Sequence, residues 1–213
     1  MGILRRVKKL MYRNNPYFRR FFREVDLEKA VFCSFDLETT GLDVKKDEII
    51  SIGAVKVVNF KVDFSTTFYT LLRPQKEPAR ESVLIHGIRE EELSGAPKAE
   101  EVLPQFLEYI KGTVLIGYFV AFDIAMLSKY TKRLFGFEVL NPFIDIRHLY
   151  KLDLKRRYLL NQVQEEKSLD EIAQELGIEV EKRHNALCDC LLSAFVFLYF
   201  LKSDINWKRA INF

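Results

Sequence analysis

The sequence predicts an α/β domain, a mixed central β-sheet of about five strands flanked by helices. Three observations predict it. Runs rich in β-branched and aromatic residues come first, between residues 31 and 72. Helical stretches then alternate with short apolar runs. Gly, Pro, Ser and Asn fall between these segments, where caps and turns need them.

Taken in order, Val31–Leu37 reads as the first strand, "IISIGAVKVVNF" as the second and "FSTTFYTLL" as the third. "GLDVKKDE" between the first two carries turn chemistry. "PKAEEVLPQFLEYIKG" is a helix that ends at a glycine, and "TVLIGY" is a short apolar strand. "FDIAMLSKYTKRLFG" is a helix with its own glycine stop, and "NPFID" is a short strand leading into "IRHLYKL". "SLDEIAQELG" has a Ser cap, acids in its first turn and a Gly stop. The last helix runs from about Ala186 to Leu201. Residues 31–205 are therefore read as one domain, residues 1–30 as an appended basic, helical arm, and residues 206–213 as a short tail.

The chain has 213 residues, enough for one sizeable core. Its charge is unevenly placed. The first 23 residues hold eight Lys/Arg and no acid, and the rest sums to −5. "GILRRVKKLMYRNNPYFRRFFREV" suits short amphipathic helices broken near Asn14-Asn15-Pro16. The arm has two readings: contact with nucleic acid or an acidic partner, or a solvated basic helix packed on the domain by its aromatics. Cys33, Cys188 and Cys190 form no disulfide framework and lack zinc-site spacing, so free thiols in a reducing cytoplasm are expected. The longest apolar run, Cys190 to Leu201, is too short to span a bilayer, so no transmembrane segment is expected.

"SFDLETTGLD" sets Asp36 and Glu38 one residue apart at the end of an apolar strand. Side chains two apart on a strand share a face, so the two acids converge if the strand continues that far. If it ends at Phe35, both sit in a solvated turn. "LIGYFVAFDIAML" places Asp123 where a strand turns into a helix, which alone is an ordinary acid at a helix N-terminus. "RHNALCDCLLSAF" places His184 just before the last helix, with Asn185 as its cap and Asp189 within about one turn of its start. That helix is apolar nearly all round, so Asp189 enters a crowded interior and needs a partner. Four carboxylates emerging from apolar elements can surround hard divalent cations such as Mg²⁺ or Mn²⁺, whose charge cancels their repulsion. A pair of such ions roughly 3.5–4 Å apart can hold the attacking and leaving oxygens of a phosphodiester. A nearby His, with an unperturbed pKa of about 6.5, suits proton transfer from water.

The set resembles the DEDDh family of 3′–5′ exonucleases, and within it the proofreading (epsilon) subunit of bacterial DNA polymerase III and its stand-alone relatives. The resemblance rests on "FDLETTGLD", "GYFVAFD" and "HNALCD" in that order, with His184 five residues before Asp189. It covers about residues 30 to 201. A sister class has Tyr where this chain has Asn185, which points to the His class.

The resemblance implies a ribonuclease H-like fold and hydrolysis of single-stranded DNA 3′ ends to nucleoside 5′-monophosphates. Asp36, Glu38, Asp123 and Asp189 would hold two Mg²⁺ or Mn²⁺ ions, and His184 would act as general base. Thr39, Thr40, Leu42 and Phe122 would border the terminal nucleotide. "IHGI" resembles a family segment along the substrate groove, so His86 either joins the groove or serves as a cap or packing residue. A DNA polymerase or another replication or repair protein is the implied partner.

One departure stands out. Many relatives have His-Asn where this chain has Tyr118-Phe119. Asp145 is expected to cap a helix, His148 to be exposed, and "KLDLKRRY" to be a solvated loop or a phosphate contact. Three rivals remain: an exoribonuclease, a non-catalytic nucleic-acid-binding or polymerase-accessory module, and a membrane-surface or scaffold protein anchored by the arm.

Overall fold

Strand β1 (Phe32–Thr39) lies inside the sheet and sets the register for the rest. The computed structural model describes residues 2–76, 80–158, 166–179, 185–203 and 205–212. β1 pairs antiparallel with β2 (Ile49–Val58), which pairs antiparallel with β3 (Lys61–Leu71). On its other side β1 runs parallel to β4 (Val114–Gly117), and β4 runs parallel to β5 (Phe143–Asp145). A two-residue strand, β6 (Ile211–Asn212), closes that edge antiparallel to β5. The described sheet is thus mixed and six-stranded, in the order β3-β2-β1-β4-β5-β6. The strand beyond the expected five is too short to leave a periodic signal and exists only through its pairing with β5.

Burial along each strand follows its place. β2 is covered on both faces and reads as a nearly continuous apolar run. β3, at the edge, keeps no fully buried residue. On β1, Cys33, Phe35 and Leu37 point into one core layer with Phe106, Leu103 and Met126. Phe32 points into the other, with Phe197, Leu149 and Ile172. The two layers are the apolar faces of two helix sets. α5 (Ala99–Ile110) and α6 (Val120–Phe135) cover the first face. α7 (Ile146–Tyr158), α8 (Leu169–Glu175) and α9 (Ala186–Lys202) cover the second. Two short helices, α3 (Arg80–His86) and α4 (Glu90–Ser94), follow β3 in the chain, and Ile88 and Leu93 pack with Ile50 in a small third cluster.

Local chemistry places these helices. Ser168 caps α8, where its hydroxyl accepts from the Glu171 backbone N–H and Glu171 bonds back to the Ser168 N–H. Gly136 ends α6 at φ 74°, a left-handed cap that favours glycine. Asp145 accepts the Arg147 N–H at 2.9 Å at the start of α7, and His148 is exposed. The segment 151–158, expected as a loop, is instead the C-terminal half of α7. Its Asp153 is almost fully buried and ion-paired with Arg156 and Arg157 one turn on, so the basic run stabilises a helix turn.

The arm forms two helices, α1 (Ile3–Tyr12) and α2 (Pro16–Phe21), broken at Asn14 and Asn15. Asn15 caps α2 and also donates to the Phe135 carbonyl, and Phe18 and Phe21 enter the first core layer. α1 is docked by its charged side. Arg5 is buried and donates to the Leu140 carbonyl at 2.8 Å, and Lys8 pairs with Glu138 and Lys9 with Glu24. Its apolar side, Ile3, Leu4, Val7, Leu10 and Met11, faces outward. No helix among the described residues is long and apolar enough to cross a membrane.

Candidate active site

β1 does not end at Phe35. It continues through Thr39, so Asp36 and Glu38 lie on one face, the face covered by α9. The register shifts between Glu38 and Thr39, where the chain turns away from the sheet. α9 then brings Asp189 down onto that face. Asn185 caps the helix by accepting the Leu187 N–H at 2.9 Å. The Ser34 hydroxyl donates to the Cys190 carbonyl at 2.7 Å and ties the helix to β1, two residues from Asp36. Carboxylate oxygens of Asp36, Glu38 and Asp189 come within 4.8 Å of one another.

Asp123 enters from the opposite side, in the first turn of α6. It is 5% exposed, and its Oδ1 accepts the Leu37 N–H at 3.1 Å. Burial pushes its carboxyl well above the usual carboxylate range. The N–H groups of Leu37 and Asp123 itself oppose this shift, and the charges of Glu38 and Asp145 add to it. All four acids line one cleft of about 400 Å³. Three gathered carboxylates with a fourth on the same cleft are an all-oxygen donor set, which fits a hard divalent cation and would supply the positive charge that Asp123 lacks.

The remaining expected residues fall on the same cleft: Thr39, Thr40, Leu42, His86 and Phe122 all line it. Both threonine hydroxyls are used in shaping the loop. Thr39 donates to the Gly41 carbonyl, while Thr40 donates to Asp47 and accepts from the Glu48 N–H. Leu42 is 85% exposed at the rim. His86 is buried, and its Nδ1 accepts the Ile88 N–H at 3.0 Å, which puts the ring proton on Nε2. That Nε2 is buried without a hydrogen-bond partner among the described residues. Burial also lowers the His86 pKa and so favours the neutral ring. His184, the expected base, lies outside the described residues.

Two features of the site have no assigned role in the sequence reading, which marks Phe119 only as half of the Tyr118-Phe119 departure. Gly53 pairs with Asp36 across β1 and β2, and it lies directly under the first turn of α9. Phe119, before α6, is left-handed at φ 58°. A side chain other than Gly or Asn in that region costs about 1–2 kcal/mol. A glycine inside an otherwise β-branched run was the available clue to the first, since it marks a close backbone approach.

A mixed six-stranded sheet with helices on both faces and an acidic centre at the end of β1 is the ribonuclease H-like exonuclease architecture. The chain belongs to the Exonuclease family, which it matches over residues 33–197. It is 36% identical over 187 residues to the DNA polymerase III subunit epsilon of Aquifex aeolicus, covering 88% of each chain. It is 35% identical over 187 residues to the DNA polymerase III PolC-type of Thermotoga petrophila, covering 88% of this chain but 13% of that one. Among solved structures, the zinc-bound complex of E. coli ExoI with single-stranded DNA superposes with a TM-score of 0.72 at 18% identity, over 85% of this chain and 42% of that one. Exonuclease X in complex with 5′ overhanging duplex DNA gives 0.62 at 20% identity, over 84% and 96%. These two likenesses establish the fold.

Proposed function

We propose that the protein is a divalent-metal-dependent 3′–5′ exonuclease that removes nucleoside 5′-monophosphates from single-stranded DNA ends. The observation that carries this is the meeting of Asp36, Glu38 and Asp189 oxygens within 4.8 Å, on the cleft that also holds Asp123. Asp36, Glu38, Asp123 and Asp189 would hold two Mg²⁺ or Mn²⁺ ions. Bound there, the ions neutralise charge on the phosphodiester and make water a better nucleophile.

The chain's own groups do the rest. His184, five residues before Asp189, accepts the proton from the attacking water. The His86 Nε2–H, without a partner among the described residues, donates to the strand in the cleft. Thr39, Thr40, Leu42 and Phe122 form the wall against the terminal nucleotide.

DNA is favoured as substrate by the relatives, which are named as a DNA polymerase III subunit epsilon and a DNA polymerase III PolC-type. An exoribonuclease is the second reading, because "IHGI" alone separates the two sugars weakly. A replication or repair polymerase is the proposed protein partner. The exposed Arg6, Arg13, Arg19 and Arg20 of the arm are available to nucleic acid or an acidic partner. Three free cysteines suit the cytoplasm.

A time course with matched 3′-labelled and 5′-labelled DNA and RNA oligonucleotides in Mn²⁺ tests this. The expected result is release of labelled mononucleotide from the 3′ end of DNA from the first time point. Loss of label from the 5′ end first, or no cleavage of any strand, overturns it.

A further inference from the structure

Phe119 occupies a position where backbone geometry argues against it. Its φ of 58° suits Gly or Asn, yet the chain carries a large aromatic there, and the residue is 50% exposed on the wall of the acidic cleft. The ring is not loose. The Arg147 guanidinium lies over it, 4.1 Å from the centroid. Arg147 is fixed in turn by Asp145, with Nη2 to Oδ2 at 2.7 Å and Nε to Oδ1 at 3.1 Å. Asp145 closes the circuit by accepting the Phe119 N–H at 3.4 Å. Tyr118, the neighbouring residue, also lines the cleft, but its ring centroid is farther from the Arg147 guanidinium, at 5.7 Å, and its hydroxyl is tied up in donating to the Lys167 carbonyl at 2.9 Å.

An aromatic ring backed by a fixed cation at the mouth of a cleft is suited to one class of ligand, a planar base. We propose that Phe119, held by Arg147 and Asp145, is a stacking platform for a nucleobase of the bound strand. It holds the strand by its π-face and not by a hydrogen bond. Stacking of this kind is sequence-tolerant, because every base has a π-face. The inference rests on the cleft being the nucleic-acid site, and it makes Phe119 a positioning residue with no part in the proton transfers.

The test uses the full chain, Ca²⁺, a 5′-labelled oligothymidylate and strands carrying 2-aminopurine at successive positions from the 3′ end. Wild type, Phe119→Gly, Phe119→Leu and Phe119→Trp are compared for Kd, for 2-aminopurine quenching and for Tm. Phe119→Gly relieves the left-handed backbone, so its Tm stays level or rises. Its Kd is expected to weaken roughly 5- to 150-fold, the range of one lost base–aromatic stack. Quenching at one strand position disappears in Phe119→Gly, and Phe119→Trp restores both binding and quenching. Phe119→Leu keeps the apolar bulk and is expected to bind like Phe119→Gly.

Binding by Phe119→Gly or Phe119→Leu within about twofold of wild type overturns the platform. A wild-type protein that binds the strand but never cleaves it in Mn²⁺ removes the proposed activity and leaves the platform standing. A wild-type protein that does not bind the strand removes both.

Discussion

A β-carbon on Gly53 would stand 2.3 Å from the carbonyl carbon of Ala186. Gly53 is also the β2 partner of Asp36, so one glycine sets how closely the helix carrying Asp189 approaches the strand carrying Asp36. Gly53→Ala is therefore expected to lift the start of α9. Overpacking of this kind costs about 1–3 kcal/mol. Thermal unfolding should show that loss, and calorimetric titration with Mn²⁺ should show a larger proportional loss of metal affinity, because Asp189 is drawn away from Asp36 and Glu38.

The acids themselves predict a metal requirement. Asp36→Asn and Asp189→Asn should each abolish tight Mn²⁺ binding while leaving the fold intact, as read by circular dichroism. Chelation with EDTA should stop nuclease activity, and Mg²⁺ or Mn²⁺ should restore it. Activity that survives exhaustive chelation excludes the proposed chemistry.

His184→Ala should lower turnover by about 10²–10⁴, the usual contribution of a general base. Strand affinity and Mn²⁺ affinity should stay near wild type, because the carboxylates and the cleft wall remain. Single-turnover kinetics separate the two effects, and unchanged turnover would show that another group takes the proton.

Docking of the arm is pH-linked through Glu138. Its carboxyl is lowered from the ordinary 4.5, chiefly by the Lys8 ammonium, with burial opposing and Lys132 adding to the lowering. A depressed carboxylate stabilises the fold at full strength above its unfolded value, and that stabilisation is lost as pH falls through the folded value. Below about pH 4.5, Tm should therefore fall less steeply in Glu138→Gln than in wild type. At neutral pH the variant should be less stable and its arm more open to protease.

Thiol reactivity follows burial. Cys33 is fully buried and its pKa is pushed up to about 12, and Cys190 is buried with its thiol raised as well. Only Cys188 is partly exposed. At pH 8, iodoacetamide should label one thiol quickly, Cys188→Ser should remove that reaction, and denaturant should expose all three.

The sequence by itself determined the local elements and the order of the acids. Alternation on β1, the Ser168 cap, the Asn15-Pro16 break and the Gly136 stop are all written within a few residues, at periods of 2 or 3.6, and the structure contains each of them. Only the tertiary structure decided how these pieces meet. The bond from Ser34 to Cys190 spans 156 residues, and no local period encodes it. The inward charged face of α1, the pairing of Ile211–Asn212 with β5 and the turn of Asp123 toward the Leu37 N–H depend likewise on what packs beside them. Side-chain pattern fixes which face an element buries. The distance between two faces is set by the volume between them, and here that volume is the missing side chain of Gly53.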